Sequence, residues 1–141
     1  MNAKPRILVV DDNHSLVRAI EGILYKAGFQ VITAFDGLQG LKKARLEKPD
    51  LLILDIVMPE MDGYEVCRHL QDDPETASIP VLLLTVKGQL DIPAVNRFAY
   101  NSRIRERMDG FEVGALDFMS KPVKAEELLE RVKGLIWFTK L

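Results

Sequence analysis

Asp11, Asp12, Asp55, Thr85 and Lys121 share one feature: each follows closely on an aliphatic run. Asp11-Asp12 close Arg6-Ile7-Leu8-Val9-Val10, Asp55 closes Leu51-Leu52-Ile53-Leu54, Thr85 closes Ile79 to Leu84, and Lys121 comes just after Leu116 to Met119. If those runs are neighbouring strands, three carboxylates, a hydroxyl and an amine converge on one crevice. Carboxylates crowded together repel and take up protons unless a cation joins them. Mg²⁺ suits such a place, because it takes one or two carboxylates, a carbonyl, several waters and a phosphate oxygen. A phosphoryl group brought there meets Lys121 and Thr85, and Asp55 can attack it as a nucleophile to give an aspartyl phosphate. In such a transfer the protein chiefly positions groups and neutralises charge. Taken singly, each residue has a plainer reading: the aspartates cap helices or turns, and Lys121 is a solvated charge.

The elements that must position these groups follow from the apolar pattern. Arg6 to Val10, Phe29 to Ala34, Leu51 to Asp55, Ile79 to Leu84 and Leu116 to Met119 are short and apolar without clear alternation, as strands covered on both faces are. Between them lie helical spacings. Asn13-His14-Ser15 offer caps for a helix carrying Leu16, Ile20, Ile23, Leu24 and Ala27, closed by Gly28. Asp36-Gly37 reads as a turn before a short helix marked by Leu38, Leu41 and Ala44 and stopped by Pro49. A loop with Pro59 and an Asp62-Gly63 turn leads to a third helix with Tyr64, Cys67 and Leu70, ending near Asp72-Asp73-Pro74. The last helix carries Leu128, Leu129, Val132, Leu135 and Ile136. Five alternations of strand and helix imply an α/β fold, a doubly wound five-stranded parallel sheet with right-handed crossovers. Ligands of such sheets sit outside the carboxyl ends of the strands.

Size and charge agree with that picture. The chain has 141 residues, which suits one domain over 1–141, with 48% hydrophobic and 28% charged residues. A net charge of −2 gives no drive toward nucleic acid or an acidic membrane. The single cysteine, Cys67, excludes an internal disulfide and fits a reducing compartment. The start, Met1 to Arg6, lacks the apolar core of a signal peptide, and no apolar run is long enough to span a membrane. The expectation is a cytoplasmic protein.

The motifs Val9-Val10-Asp11-Asp12, Leu54-Asp55, Met58-Pro59, Met61-Asp62-Gly63, Leu84-Thr85 and Lys121-Pro122 together resemble the receiver domains of two-component response regulators, the CheY-like family, over nearly the whole chain. The resemblance implies the flavodoxin-like strand order 2-1-3-4-5. It implies that Asp55 is the phosphoacceptor, that Asp12 ligates Mg²⁺ directly with Asp11 acting through water, and that the Val57 carbonyl completes the protein ligands. It further implies that Lys121 pairs with the phosphate, that Thr85 swings to bond it, that Phe118 is the switch aromatic, and that Pro122 follows a cis peptide bond. The partners implied are a histidine kinase or phosphotransfer protein, an output domain or effector, and a second copy of the chain in a homodimer. Neither direct nucleic-acid contact nor membrane contact is expected. His14 and His69 are read as surface residues.

Two rival chemistries fit less well. A phosphatase of the haloacid-dehalogenase type wants a second Asp two residues after the nucleophile, where this chain has Val57. A flavodoxin-like flavin binder wants hydroxyls and glycine in its first loop, where this chain has Asp11-Asp12-Asn13-His14. A receiver kept only for protein contacts would not need all the key polar positions. One departure from the receiver pattern is an enlarged segment between the fourth and fifth strands, around Leu90 to Val113. It reads either as an extended helix with a solvated face or as a partner-binding elaboration rich in Arg97, Arg103, Arg105, Arg107, Phe98 and Tyr100.

Overall fold

Runs of consecutive aliphatic residues can be satisfied only where both faces of a strand are covered, and the computed structural model builds that arrangement. It describes residues 4–86 and 116–139. In chain order these form β1 (Arg6–Val10), α1 (His14–Lys26), β2 (Gln30–Ala34), α2 (Gly37–Glu47), β3 (Leu51–Asp55), α3 (Gly63–Asp72), β4 (Val81–Thr85), β5 (Leu116–Ser120) and α4 (Ala125–Thr139). The sheet is parallel throughout and ordered β2-β1-β3-β4-β5. The expected fold and strand order are therefore present. The expected elaboration around Leu90 to Val113 lies outside the described residues.

Every residue of β3 and β4 is buried. Alternate side chains of the sheet feed two cores. On one face Leu8, Val10, Leu52, Leu54 and Leu83 pack with Ala44 of α2 and Val66, Cys67 and Leu70 of α3. On the other, Ile7, Val9, Leu51, Ile53, Leu82 and Leu84 pack with Val17, Ile20 and Leu24 of α1 and Leu128, Val132, Leu135 and Ile136 of α4. No helix among the described residues is long and apolar enough to cross a membrane.

The helices begin at the carboxyl edge of the sheet, and three of them begin on an Asn or Asp cap. Asn13 accepts from the Leu16 amide at 3.1 Å, Asp36 from Gln39 at 2.8 Å and Asp62 from Glu65 at 2.9 Å. Each cap satisfies an amide that the helix itself leaves without a partner. Asp36-Gly37 and Asp62-Gly63 are thus helix starts rather than free-standing turns. Gly28, at φ 96°, closes α1 in the left-handed region that glycine adopts without strain.

Some strand boundaries and one helix position differ from the sequence reading; β5 runs one residue further, to Ser120. β2 begins at Gln30 rather than Phe29, and β4 at Val81 rather than Ile79. Leu38 is 64% exposed, whereas Ala44 is buried and Leu41 partly buried as expected, with Gly37 and Gly40 beside them against the core. A Cβ on Gly40 would lie 3.0 Å from Val10 Cγ2, so the helix rests on the sheet through its missing side chains.

Candidate functional site

Strand register brings the polar groups to one level. Val10 pairs with Leu54, Asp55 with Leu84, and Thr85 with Ser120, so Asp11, Asp55, Thr85 and Lys121 all fall at the carboxyl edge of β1, β3, β4 and β5. The carboxylate oxygens of Asp11, Asp12 and Asp55 lie within 4.8 Å of one another. Lys121 Nζ reaches Asp55 Oδ1 at 3.0 Å and Asp11 Oδ2 at 3.3 Å. Backbone hydrogen bonds just past the strand ends hold this edge in register. Asp11 donates its amide to the Ala34 carbonyl at 3.2 Å, Ile56 to Leu84 at 3.2 Å, and Lys121 to Thr85 at 2.6 Å.

Asp11 and Asp55 are buried, whereas Asp12 is exposed. Burial pushes the Asp55 carboxyl above its ordinary range, and the negative charges of Asp11 and Asp12 push the same way, against the hydrogen bond and charge of Lys121. Burial works to lower the Lys121 ammonium, but the hydrogen bond to Asp55 and the charges of Asp11 and Asp55 outweigh it and hold the pKa above the usual value. Burial and the neighbouring carboxylates thus act together on Asp55, and the site of three carboxylates and one ammonium has an excess of negative charge. A hard divalent cation cancels that excess, and an all-oxygen donor set is what such an ion prefers. The acidic triad is consistent with a metal site.

The Thr85 hydroxyl is fully buried and has no hydrogen-bond partner among the described residues. A buried hydroxyl without a partner costs about 1–3 kcal/mol. Val57, two residues past Asp55, has an exposed side chain. Phe118 on β5 is partly buried against the α2–α3 core. The Lys121–Pro122 peptide is cis.

Two contacts were not foreseen from the sequence. Arg131 of α4 binds both carboxylate oxygens of Asp117 at 3.0 Å and the Phe118 carbonyl at 2.9 Å, with Glu127 one turn away. Only the Glu127–Arg131 spacing carried a visible signal of this cluster. His14, read as a plain surface residue, is exposed but stacks on Phe35.

Parallel sheet, strand-end acidic triad and facing lysine define a class, and comparison with known proteins supplies it. Residues 7–133 match the family model for the response regulator receiver domain, and the chain belongs to that family. It is 39% identical over 132 residues to the DNA-binding dual master transcriptional regulator RpaA of Synechocystis, covering 94% of this chain and 49% of that protein. It is 42% identical over 133 residues to the response regulator PleD of Caulobacter vibrioides, covering 94% of this chain and 26% of that one. The chain thus spans half or less of the length of these relatives. Among solved structures it resembles the chemotaxis protein CheY4 of Vibrio cholerae, with a TM-score of 0.77 and 28% identity, covering 94% of this chain and 99% of that one. The chain is a phosphorylation-controlled signalling switch, a phosphoacceptor module rather than a catalytic enzyme.

Proposed function

We propose that Asp55 is the residue that accepts the phosphoryl group, within a receiver unit formed by chain 1–141. The observation that carries this reading is the position of Asp55: buried at the end of β3, within 4.8 Å of two further carboxylates and 3.0 Å from Lys121 Nζ. An Asp55 oxygen attacks phosphorus, the new O–P bond forms as the donor's P–N or P–O bond breaks, and an acyl phosphate results. Asp12 would hold Mg²⁺ directly, with Asp11 acting through water and Asp55 and the Val57 carbonyl completing the set; the ion supplies the positive charge that lets two anions meet.

Lys121 then leaves its present pairing with Asp11 and Asp55 and follows the phosphoryl oxygens as a charge-assisted donor. Thr85 turns its unpartnered hydroxyl toward the same group, and Phe118 repacks behind it. Those contacts exist only in the phosphorylated state, which is why the modification can shift a conformational equilibrium. The donor is a histidine kinase, a phosphotransfer protein or a small phosphodonor. The output passes through an effector or a further domain, or through a second copy of the chain, as the greater length of RpaA and PleD suggests. This domain itself touches neither nucleic acid nor membrane. The lone, buried Cys67 accords with a reducing, cytoplasmic setting.

Incubation with acetyl phosphate or phosphoramidate, followed by intact mass, tests the reading. Wild type gains one phosphoryl group only with Mg²⁺ present, and Asp55→Asn gains none. Equal labelling of wild type and Asp55→Asn would overturn the assignment.

A further inference from the structure

Asp12 is the one carboxylate of the triad that is exposed, and its side chain makes no hydrogen bond or ion pair among the described residues. Its neighbours are fixed. The Asn13 amide donates to Asp11 Oδ1 at 3.0 Å, and the Asn13 side chain caps α1. One residue further, His14 opens α1 and lays its ring on Phe35, with centroids 3.9 Å apart and planes inclined by 14°.

Phe35 is a firm support. It immediately follows β2, its amide donates to Gln39 Oε1 at 3.2 Å, and its ring is partly buried against the α1–α4 core. The stack therefore joins the loop that carries Asp12 to the loop that follows β2, just past the point where the Asp11 amide meets the Ala34 carbonyl. Holding a ligand in its bound geometry beforehand raises affinity without adding a contact to the ion.

We infer that the His14–Phe35 stack is a positioning device for Asp12 and preorganises the divalent-cation site; this rests on the cation-site reading proposed above. Neither ring touches the ion, and neither is a catalytic residue.

Calorimetric titration with Mg²⁺ alone tests the inference in wild type, His14→Ala, Phe35→Ala, the double variant, Phe35→Tyr and Phe35→Leu. Urea unfolding without metal is run beside it to show that each chain is folded. Either single alanine variant weakens Mg²⁺ binding by about 3- to 10-fold, the range an aromatic pair commands. The double variant is no weaker than the worse single, because one contact has been removed twice. Phe35→Tyr keeps the wild-type affinity, and Phe35→Leu, which keeps bulk but not the ring, behaves like Phe35→Ala. Additive losses, unchanged affinities, or a wild-type affinity in Phe35→Leu would each overturn the inference. Should Phe35→Ala unfold, the exposed His14→Ala variant decides. No Mg²⁺ binding by wild type would remove the cation-site reading and this inference together; binding by wild type with unaltered variants removes this inference alone.

Discussion

Asp55 sits where ionisation is opposed by burial first and by Asp11 and Asp12 next, with Lys121 as the opposing attraction. Its folded pKa is raised above the ordinary 3.8. Between those two values the folded chain holds more protons than the unfolded one, so stability falls as pH rises through that window and stays lower above it. Without divalent cation, Asp55→Asn should therefore unfold at higher urea than wild type at pH 7, by on the order of 1 kcal/mol. The gap should close as pH falls toward the ordinary carboxylate range; a less stable variant at pH 7 would contradict this account of the site. Lys121 is the complementary case. It is the ammonium that faces both Asp11 and Asp55, and removing it leaves the three carboxylates in place. Lys121→Ala should keep its Mg²⁺ affinity or bind more tightly, yet lose most of the amide shifts that beryllofluoride, a phosphoryl mimic, induces near Thr85. Equal shifts in variant and wild type would mean that Lys121 does not couple phosphate to the rest of the domain.

The loop from β3 to α3 is pinned to the site by a glycine. A Cβ on Gly63 would fall 2.6 Å from the Asp55 carbonyl oxygen and 2.9 Å from Ile56 Cα, both backbone atoms that cannot step aside. Gly63→Ala should cost about 1–3 kcal/mol in urea unfolding and slow labelling by a phosphodonor. Gly134 of α4 is the opposite case. A Cβ there meets nothing within 4 Å, so Gly134→Ala should gain about 0.5–1 kcal/mol from backbone entropy alone. The same close approaches explain what the sequence could and could not disclose. β1 and β3 were legible to the residue because unbroken aliphatic runs end abruptly at charged groups. α2 was legible as a helix, and Leu41 and Ala44 do meet the core, but Leu38 faces solvent while Gly37 and Gly40 pack, and glycine gives no hydrophobic signal. Phe29 and Ile79 are buried without strand pairing, so an apolar run overstates the strand by a residue or two. The Asp117–Arg131 and His14–Phe35 contacts join residues far apart in the chain and carry no periodicity that a sequence could show.

Across the described residues of the molecule, four polar side chains are buried: Asp11, Asp55, Thr76 and Thr85. Thr76 has an ordinary explanation, since its hydroxyl donates to the Leu70 carbonyl at 2.7 Å. The other three lie together at the carboxyl edge of a sheet otherwise filled on both faces by aliphatic residues. A fold that needs only stability does not place two carboxylates and an unpartnered hydroxyl there. The two apolar layers make the frame rigid, and the polar edge is where charge can arrive. The most direct test of the account is to find which atom takes the phosphoryl group. Treat the chain with phosphoramidate and Mg²⁺, reduce with borohydride, which converts an aspartyl phosphate to homoserine, and sequence the peptides. Homoserine at position 55 and nowhere else is the predicted result. Homoserine at position 11 or 12, or a phosphoryl group retained on another residue type while position 55 stays aspartate, would contradict it.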